Sequence, residues 1–310
     1  MQRSDMIDDK YLRFTRDQMR QHFLVDAESQ IDYFERSAQR YRDFLAENRD
    51  KTGIPLTKAR LPRQIEKDER FWTAASLKHI FDHPQRNSAL ESILTRTFGD
   101  KPPVEGLGTW CECLTGQLSL YFEAQAPSPK AYTNWLRRHI FDRQLIPYIR
   151  DAAAREGLRT LEGATHFDAA LVNCSNGFAL LIEAKVLSDI SPYVSFDNLR
   201  NQIARCIDVM LEQPTEPMNR CLPTAFDARK PERSLFALLT PEVFRTRPQS
   251  RLYGWLLQEY RLNPEGLARD LPHRPDTDWP KISSRLGWIT FDDIESQVPG
   301  ACPWLGTHTT

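Results

Sequence analysis

The 310-residue sequence predicts an α/β (α+β) protein in which a mixed β-sheet is flanked by helices and preceded by a helical N-terminal domain. Three observations predict it. Apolar residues recur at steps of three, four or seven through the first third of the chain, as one face of a helix requires. Two short apolar runs, 165–172 and 178–186, flank the turn-rich Asn173-Cys-Ser-Asn-Gly177, which is the mark of a hairpin. A further apolar run at 234–240, with helical stretches before and after it, completes the alternation of a sheet covered by helices.

In chain order, Met19, Phe23, Ile31, Phe34 and Leu45 lie on one apolar stripe, and charges of both signs fill the other faces. That stripe packs on a protein partner surface rather than in a membrane. Segments 71–81, 88–98 and 107–122 read as further helices. The boundary falls at 123–132, where Pro127 and Pro129 interrupt helix. Residues 1–126 are thus expected to form an N-terminal helical domain serving specificity, oligomerisation or partner contact, and residues 127–310 a second domain with a Pro/Trp-rich C-terminal extension. Ser128 as N-cap and Pro129 at the first helical position open a helix that runs to about 156, with a kink at Pro147. After the hairpin, Ser195 caps a helix that Pro214 ends. A strand at 234–240, a helix around 253–260 and a strand at 286–291 follow. Trp279, Trp288 and Trp304 are core by default, with stacking on bases or a partner as the alternative.

Composition bounds the function classes. Hydrophobic content of 40% and charged content of 27% are ordinary for a globular protein. No apolar run approaches the roughly 20 residues that span a bilayer, and the first residues lack the order of a signal peptide, so a cytoplasmic protein is expected. Six scattered cysteines have no paired metal-ligand spacing and read as reduced, mostly buried thiols. A net charge of −1 excludes a globally basic nucleic-acid binder. It leaves local patches: residues 130–159 and 219–251 each hold seven basic residues against three acidic ones, +4 apiece.

The chemistry concentrates at the end of the second hairpin strand. Alternate strand residues share a face, so Leu181, Glu183 and Lys185 point one way while Leu180, Ile182, Ala184 and Val186 pack into a core. Asp168, on the first hairpin strand, lies level with Glu183. Two carboxylates and an ammonium then converge where burial should exclude all three. Such a set suits a hard cation: Asp168, Glu183 and the backbone carbonyl of Ala184 offer oxygen ligands to Mg²⁺. The cation would activate a water and offset charge on a phosphodiester, with Lys185 orienting or helping to deprotonate that water. Glu156 or Glu162 is a candidate further ligand, and the spacing selects neither. His166 shares the strand face of Asp168 and reads first as a hydrogen-bonded structural histidine.

Asp168, then Glu183-Ala-Lys185, then "FDNLRNQIARCID" resembles the PD-(D/E)XK nuclease superfamily, over roughly residues 129–240. The resemblance implies a restriction-endonuclease-like fold, with Asp168 and Glu183 binding Mg²⁺ (Mn²⁺ substituting), Lys185 assisting the attacking water, and Gln202 in the place of a glutamine that some branches carry on the next helix. Cys206 stands where some branches have tyrosine, and Phe167 where proline commonly precedes the aspartate. The implied function is a metal-dependent deoxyribonuclease of prokaryotic restriction, repair or antiviral defence, with DNA as partner and RNA second. Asn198, Gln202 and Arg205 fall on one helix face, where they hold a DNA phosphate or form a solvated polar face. Three other readings stay open. One is a catalytically silent nuclease fold acting as a nucleic-acid-binding or scaffold subunit. Another is a hydrolase using Asp168 and Glu183 as an acid/base pair. The last is a Glu183–Lys185 ion pair that merely tolerates burial.

Overall fold

The apolar runs become strands of one five-stranded mixed sheet in a computed structural model that describes residues 6–49, 65, 67–155, 161–213 and 225–305. A small hairpin comes first, β1 (Met6–Asp8) and β2 (Leu12–Thr15), its turn held by the Asp8 carboxylate accepting from the amides of Lys10 and Tyr11. The main sheet follows in the order β3 (Leu118–Ala126), β4 (Thr165–Asn173), β5 (Ala179–Ala184), β6 (Ser234–Thr240) and β7 (Leu286–Thr290). The first three pair antiparallel, while β6 and β7 join in parallel. The β4–β5 turn closes as expected, with Gly177 in the left-handed region at φ +80° and its amide donating to Asn173 O.

Both faces of the sheet are covered. Leu180, Ile182 and Ala184 of β5 enter one core with the helices Glu69–Asp82, Arg86–Phe98 and Phe291–Gln297. Ala179 and Leu181 enter another with the helices Gln202–Met210 and Leu252–Leu262. This explains why 178–186 lacks polar alternation: a strand buried on both sides needs apolar residues on each. Each such fully buried aliphatic side chain contributes about 1.5–3 kcal/mol.

Several expectations need correction. Segment 107–122 is not a helix. It holds the short helix Trp110–Leu114 and then the edge strand β3, in which Leu118, Leu120 and Phe122 alternate into the core. The stripe from Met19 is split between the helices Arg16–Arg20 and Ala27–Arg49, and the side chain of Leu45 lies outside what is described. Residue 126 is the last of β3, and residues before and after it share one core, in which Trp72 stacks on Trp304 at 4.7 Å. Pro147 starts a new helix, Pro147–Ala154, instead of kinking the Lys130–Arg143 one. Pro129 is the N-cap of the latter, and Ser128 donates instead to Glu162. Trp279, Trp288 and Trp304 are all buried, and Trp288 Nε1 donates to Thr240 Oγ1 at 2.7 Å, which removes the base-stacking alternative for them. The described cysteines, which do not include Cys221, are free thiols. Among the described residues, no helix is long and apolar enough to cross a membrane.

Candidate active site

The site forms where β5 ends against three other elements. The register that pairs Ala169 with Ile182 puts Asp168 level with Glu183. There the Asp168 side chain reaches across, and its Oδ2 accepts from the Ala184 amide at 2.7 Å. Glu183 is buried and takes two donors on Oε1, Lys185 Nζ at 2.6 Å and Gln202 Nε2 at 2.6 Å. Gln202 is the first residue of its helix, whose N-cap Asn201 accepts from Ala204 N. Its other amide atom, Oε1, accepts from Ser191 N at 3.3 Å, so the side chain is fixed at both ends. The Sγ of Cys206 lies 3.9 Å from Glu183 Oε2.

Two acidic residues that the sequence reading missed complete the cluster. Glu69 opens the Glu69–Asp82 helix, with Asp68 as its N-cap. Its Oε2 lies 3.7 Å from Lys185 Nζ, while Oε1 accepts from Val186 N at 3.2 Å and from Ser188 Oγ. Glu123 of β3 stands opposite Asp168, between the pairs Phe122–Ala169 and Ala124–Phe167, and forms an ion pair with Arg70 at 3.2 Å. Its backbone is left-handed at φ +50°, rare for a residue with a Cβ. Glu69, Glu123, Asp168 and Glu183 therefore face Lys185 and Arg70, four carboxylates against two cations.

That imbalance sets the protonation. Burial raises the pKa of Glu183 to about 8, with the neighbouring Asp168 adding to it against the pull of Lys185. Burial also raises Asp168, opposed by Lys185 and the Ala184 amide. The two carboxyls titrate as a pair. Glu123 is raised to about 7, chiefly by burial. Burial works against the Lys185 charge too, but Glu183, Asp168 and Glu69 outweigh it and raise its pKa. Lys185 is thus an ammonium at neutral pH, and it can orient and polarise a water but does not serve as the resting base.

The other candidates are placed differently. The helix starts at Gln202, not after Ser195, so Asn198 precedes it and does not share its face. Asn198 instead ties two loops: its Oδ1 accepts from Leu145 N at 2.7 Å and its amide donates to Arg143 O. Arg205 donates to the carbonyls of Gly163 and Ala164. Glu162 is held by Arg200, away from the cluster, and Glu156 lies outside the described residues. His166 is exposed on β4. In the basic stretch 219–251, Arg229 is buried and donates to the last carbonyls of the Gln202–Met210 helix, and Arg245 pairs with Asp293; Arg220 lies outside the described residues.

Among the described residues, no three His, Cys, Asp or Glu side chains meet at metal-ligating distance as they stand. The chemistry of the donors nevertheless suits a hard cation: every candidate ligand is oxygen, and the wholly or partly buried acids exceed their partners in charge. Asp168 Oδ1 is left over by the hydrogen bonds of the cluster, and Glu183 Oε2 accepts only from the Cys206 thiol at 3.9 Å. No family model matches the chain, and neither a curated protein nor a solved structure matches it.

Proposed function

We propose that the chain is a divalent-cation-dependent deoxyribonuclease with a restriction-endonuclease-like form of its α/β fold, related to the PD-(D/E)XK nucleases. The observation that carries this reading is the surplus of wholly or partly buried carboxylate around Lys185 at the end of β5. A buried acid raised to about 8 is costly to ionise, and a divalent cation is the simplest partner that would offset it.

Asp168, Glu183 and the carbonyl of Ala184 would hold the cation, Mg²⁺ or Mn²⁺. When bound, such an ion supplies Lewis acidity to a phosphate oxygen and lowers the pKa of a water. The chain's own residues do the remaining work. Gln202 holds the Glu183 carboxylate in one orientation, and Glu69 Oε2, 3.7 Å from Lys185 Nζ, helps to hold that charge in place. The Lys185 ammonium directs the attacking water and stabilises negative charge developing on the phosphorus oxygens. Restriction, repair or antiviral defence is the context this chemistry serves, in the cytoplasm.

The test is cleavage of linear, circular and single-stranded DNA with Mg²⁺ and Mn²⁺, for wild type, Asp168→Ala and Lys185→Ala. Wild type is expected to cut only with cation, and each folded variant to lose on the order of 10³-fold in rate. Metal-independent DNA binding with no cleavage of any form sinks the nuclease reading in favour of the scaffold one.

A further inference from the structure

We infer that the Tyr253 hydroxyl and the Arg251 guanidinium form a phosphate-binding subsite on the flank of the candidate active site, occupied by the phosphate next to the one that is cleaved. This rests on the nuclease reading and adds to it the place of a second substrate phosphate.

Tyr253 differs from tyrosines that are equally buried. The hydroxyls of Tyr132 and Tyr260 donate to Asp197 Oδ2 at 3.0 Å and to Asp270 Oδ2 at 2.5 Å. The Tyr253 side chain is fully buried, yet its hydroxyl has no hydrogen-bond partner among the described residues. Leaving a buried hydroxyl unpaired is costly, and such an exception asks for a role outside the fold. Arg251 Nε, two residues before it, is buried and unpartnered in the same sense. The rest of that guanidinium is held in place, with Nη1 donating to Ser250 O and the group lying 4.6 Å over the Phe244 ring.

The sheet sets where this pair lies. Glu183 and Lys185 share the face of Ala179 and Leu181, and Tyr253 packs into the core on that face. Glu183, Leu238 and Trp288 stand on one rung across β5, β6 and β7, and the Tyr253 ring meets Trp288 edge-on at 6.0 Å. Asp189, four residues after Lys185, accepts from Leu252 N at 2.8 Å and from Tyr253 N at 3.2 Å. The start of the Leu252–Leu262 helix is thereby tied to the segment that leaves the site. A Cβ on Gly254 would lie 2.2 Å from Pro248 O, so this helix start has no room to shift.

The donors select the occupant. Burial raises the pKa of Tyr253, so its hydroxyl stays a neutral donor, and the charges of Arg251, Asp189, Glu69 and Lys185 all reach it. Both acids of that set are already engaged. Asp189 accepts from the amides of Ile190, Leu252 and Tyr253, and Glu69 serves Lys185, Val186 N and Ser188. What remains is one O–H donor and one guanidinium, side by side, which together suit an anionic oxygen. In the nuclease reading that oxygen belongs to a backbone phosphate beside the scissile one.

The experiment measures steady-state cleavage of labelled DNA with Mg²⁺, and thermal melting with and without inorganic phosphate at constant ionic strength, on the full chain. Tyr253→Phe keeps the ring and removes the hydroxyl. It should raise KM about tenfold or more with kcat nearly unchanged. It should melt no lower than wild type, because no bond within the protein is lost, and it should lose the rise in melting temperature that phosphate gives wild type. Arg251→Gln should raise KM in the same way. Tyr132→Phe, which gives up its bond to Asp197, should melt lower and keep the wild-type KM. A folded Tyr253→Phe with wild-type KM overturns the subsite and leaves the nuclease reading intact. Melting of Tyr253→Phe well below wild type also overturns it, since the hydroxyl then serves the fold. If wild type cuts no nucleic acid with either cation, the nuclease reading falls. A phosphate effect that Tyr253→Phe abolishes then still supports the subsite, and one absent from wild type or unchanged in the variant overturns it as well.

Discussion

Arg200 and Gln202 are two residues apart, yet they feed two buried charge networks of opposite character. Arg200 is fully buried and bonds Glu162 through Nε at 2.7 Å and Nη2 at 3.0 Å, and Asp208 at 2.8 Å. Asp208 in turn meets His273 at 2.9 Å and Arg274, and the Arg200 guanidinium lies 3.5 Å from the centre of the Tyr132 ring. Burial pushes the Asp208 carboxyl up, but hydrogen bonding by His273 and the charges of Arg200 and Arg274 hold it well below the usual carboxylate range. Around Gln202 the same kind of burial leaves Glu183 at about 8. The difference is stoichiometry. Where each acid has its own guanidinium, buried charge is architecture. Where acids outnumber cations, the site is short of positive charge and suited to receive it.

The largest expected effect separates the two by substitution. Lys185→Met should lose on the order of 10³-fold in cleavage and change stability by less than about 1 kcal/mol, because Glu183 can take a proton and leave no bare charge. Arg200→Ala should do the reverse. It removes the buried guanidinium that Glu162 and Asp208 share, costs about 3 kcal/mol in denaturant unfolding, and keeps cleavage within tenfold at a temperature where the variant is folded. Comparable stability losses for both would break the distinction.

A smaller effect is expected from pH. Glu183 binds its proton more tightly folded than unfolded, so its contribution is full below the ordinary value of 4.5. It is lost as pH rises toward about 8. Asp208 has the opposite sign: its contribution is present above the ordinary value of 3.8 and is lost as pH falls below it. Lys185, raised above 10.5, does not titrate in either window. Unfolding free energy should therefore decline between pH 5 and 8 by an amount on the order of 2 kcal/mol, and Glu183→Gln should flatten that slope. An unchanged slope in Glu183→Gln would remove Glu183 as its source.

Part of this was legible in the sequence. A hairpin's register follows from its turn and its side-chain alternation from the period of two, so Asp168, Glu183 and Lys185 could be placed together without coordinates. Gln202 came only from the resemblance. The sequence extends its helix too far because Ser195 and Asn201 are both good caps, and only packing shows that Asn201 is the one used. Glu69 was hidden by distance in the chain: an acid in the first turn of a helix is ordinary, and nothing local says that the helix ends on β5. Glu123 did carry a signal, since Leu118, Leu120 and Phe122 alternate as a strand does, but aromatic and cysteine neighbours upstream read as helix. Arg200 gave none, because a buried arginine looks like any exposed one until its partners are known.

The smallest effect tests whether the acid-rich network also stores backbone strain. Among the described non-glycine residues only Asp26 and Glu123 have positive φ, and no member of the Arg200 network does. A residue with a Cβ held in the left-handed region costs on the order of 1 kcal/mol relative to glycine. Glu123→Gly relieves that cost and removes a half-buried acid raised to about 7, at the expense of one partly exposed pair with Arg70 worth less than about 1 kcal/mol. Glu123→Ala removes the same acid and pair but keeps the Cβ. Glycine should therefore be the more stable of the two variants by about 1 kcal/mol in urea unfolding, although glycine in a strand is ordinarily the worse choice. If alanine equals or exceeds glycine, β3 accommodates the left-handed turn without strain, and the conformation at Glu123 follows from the Phe122 amide bonding His22 O rather than from any demand of the site.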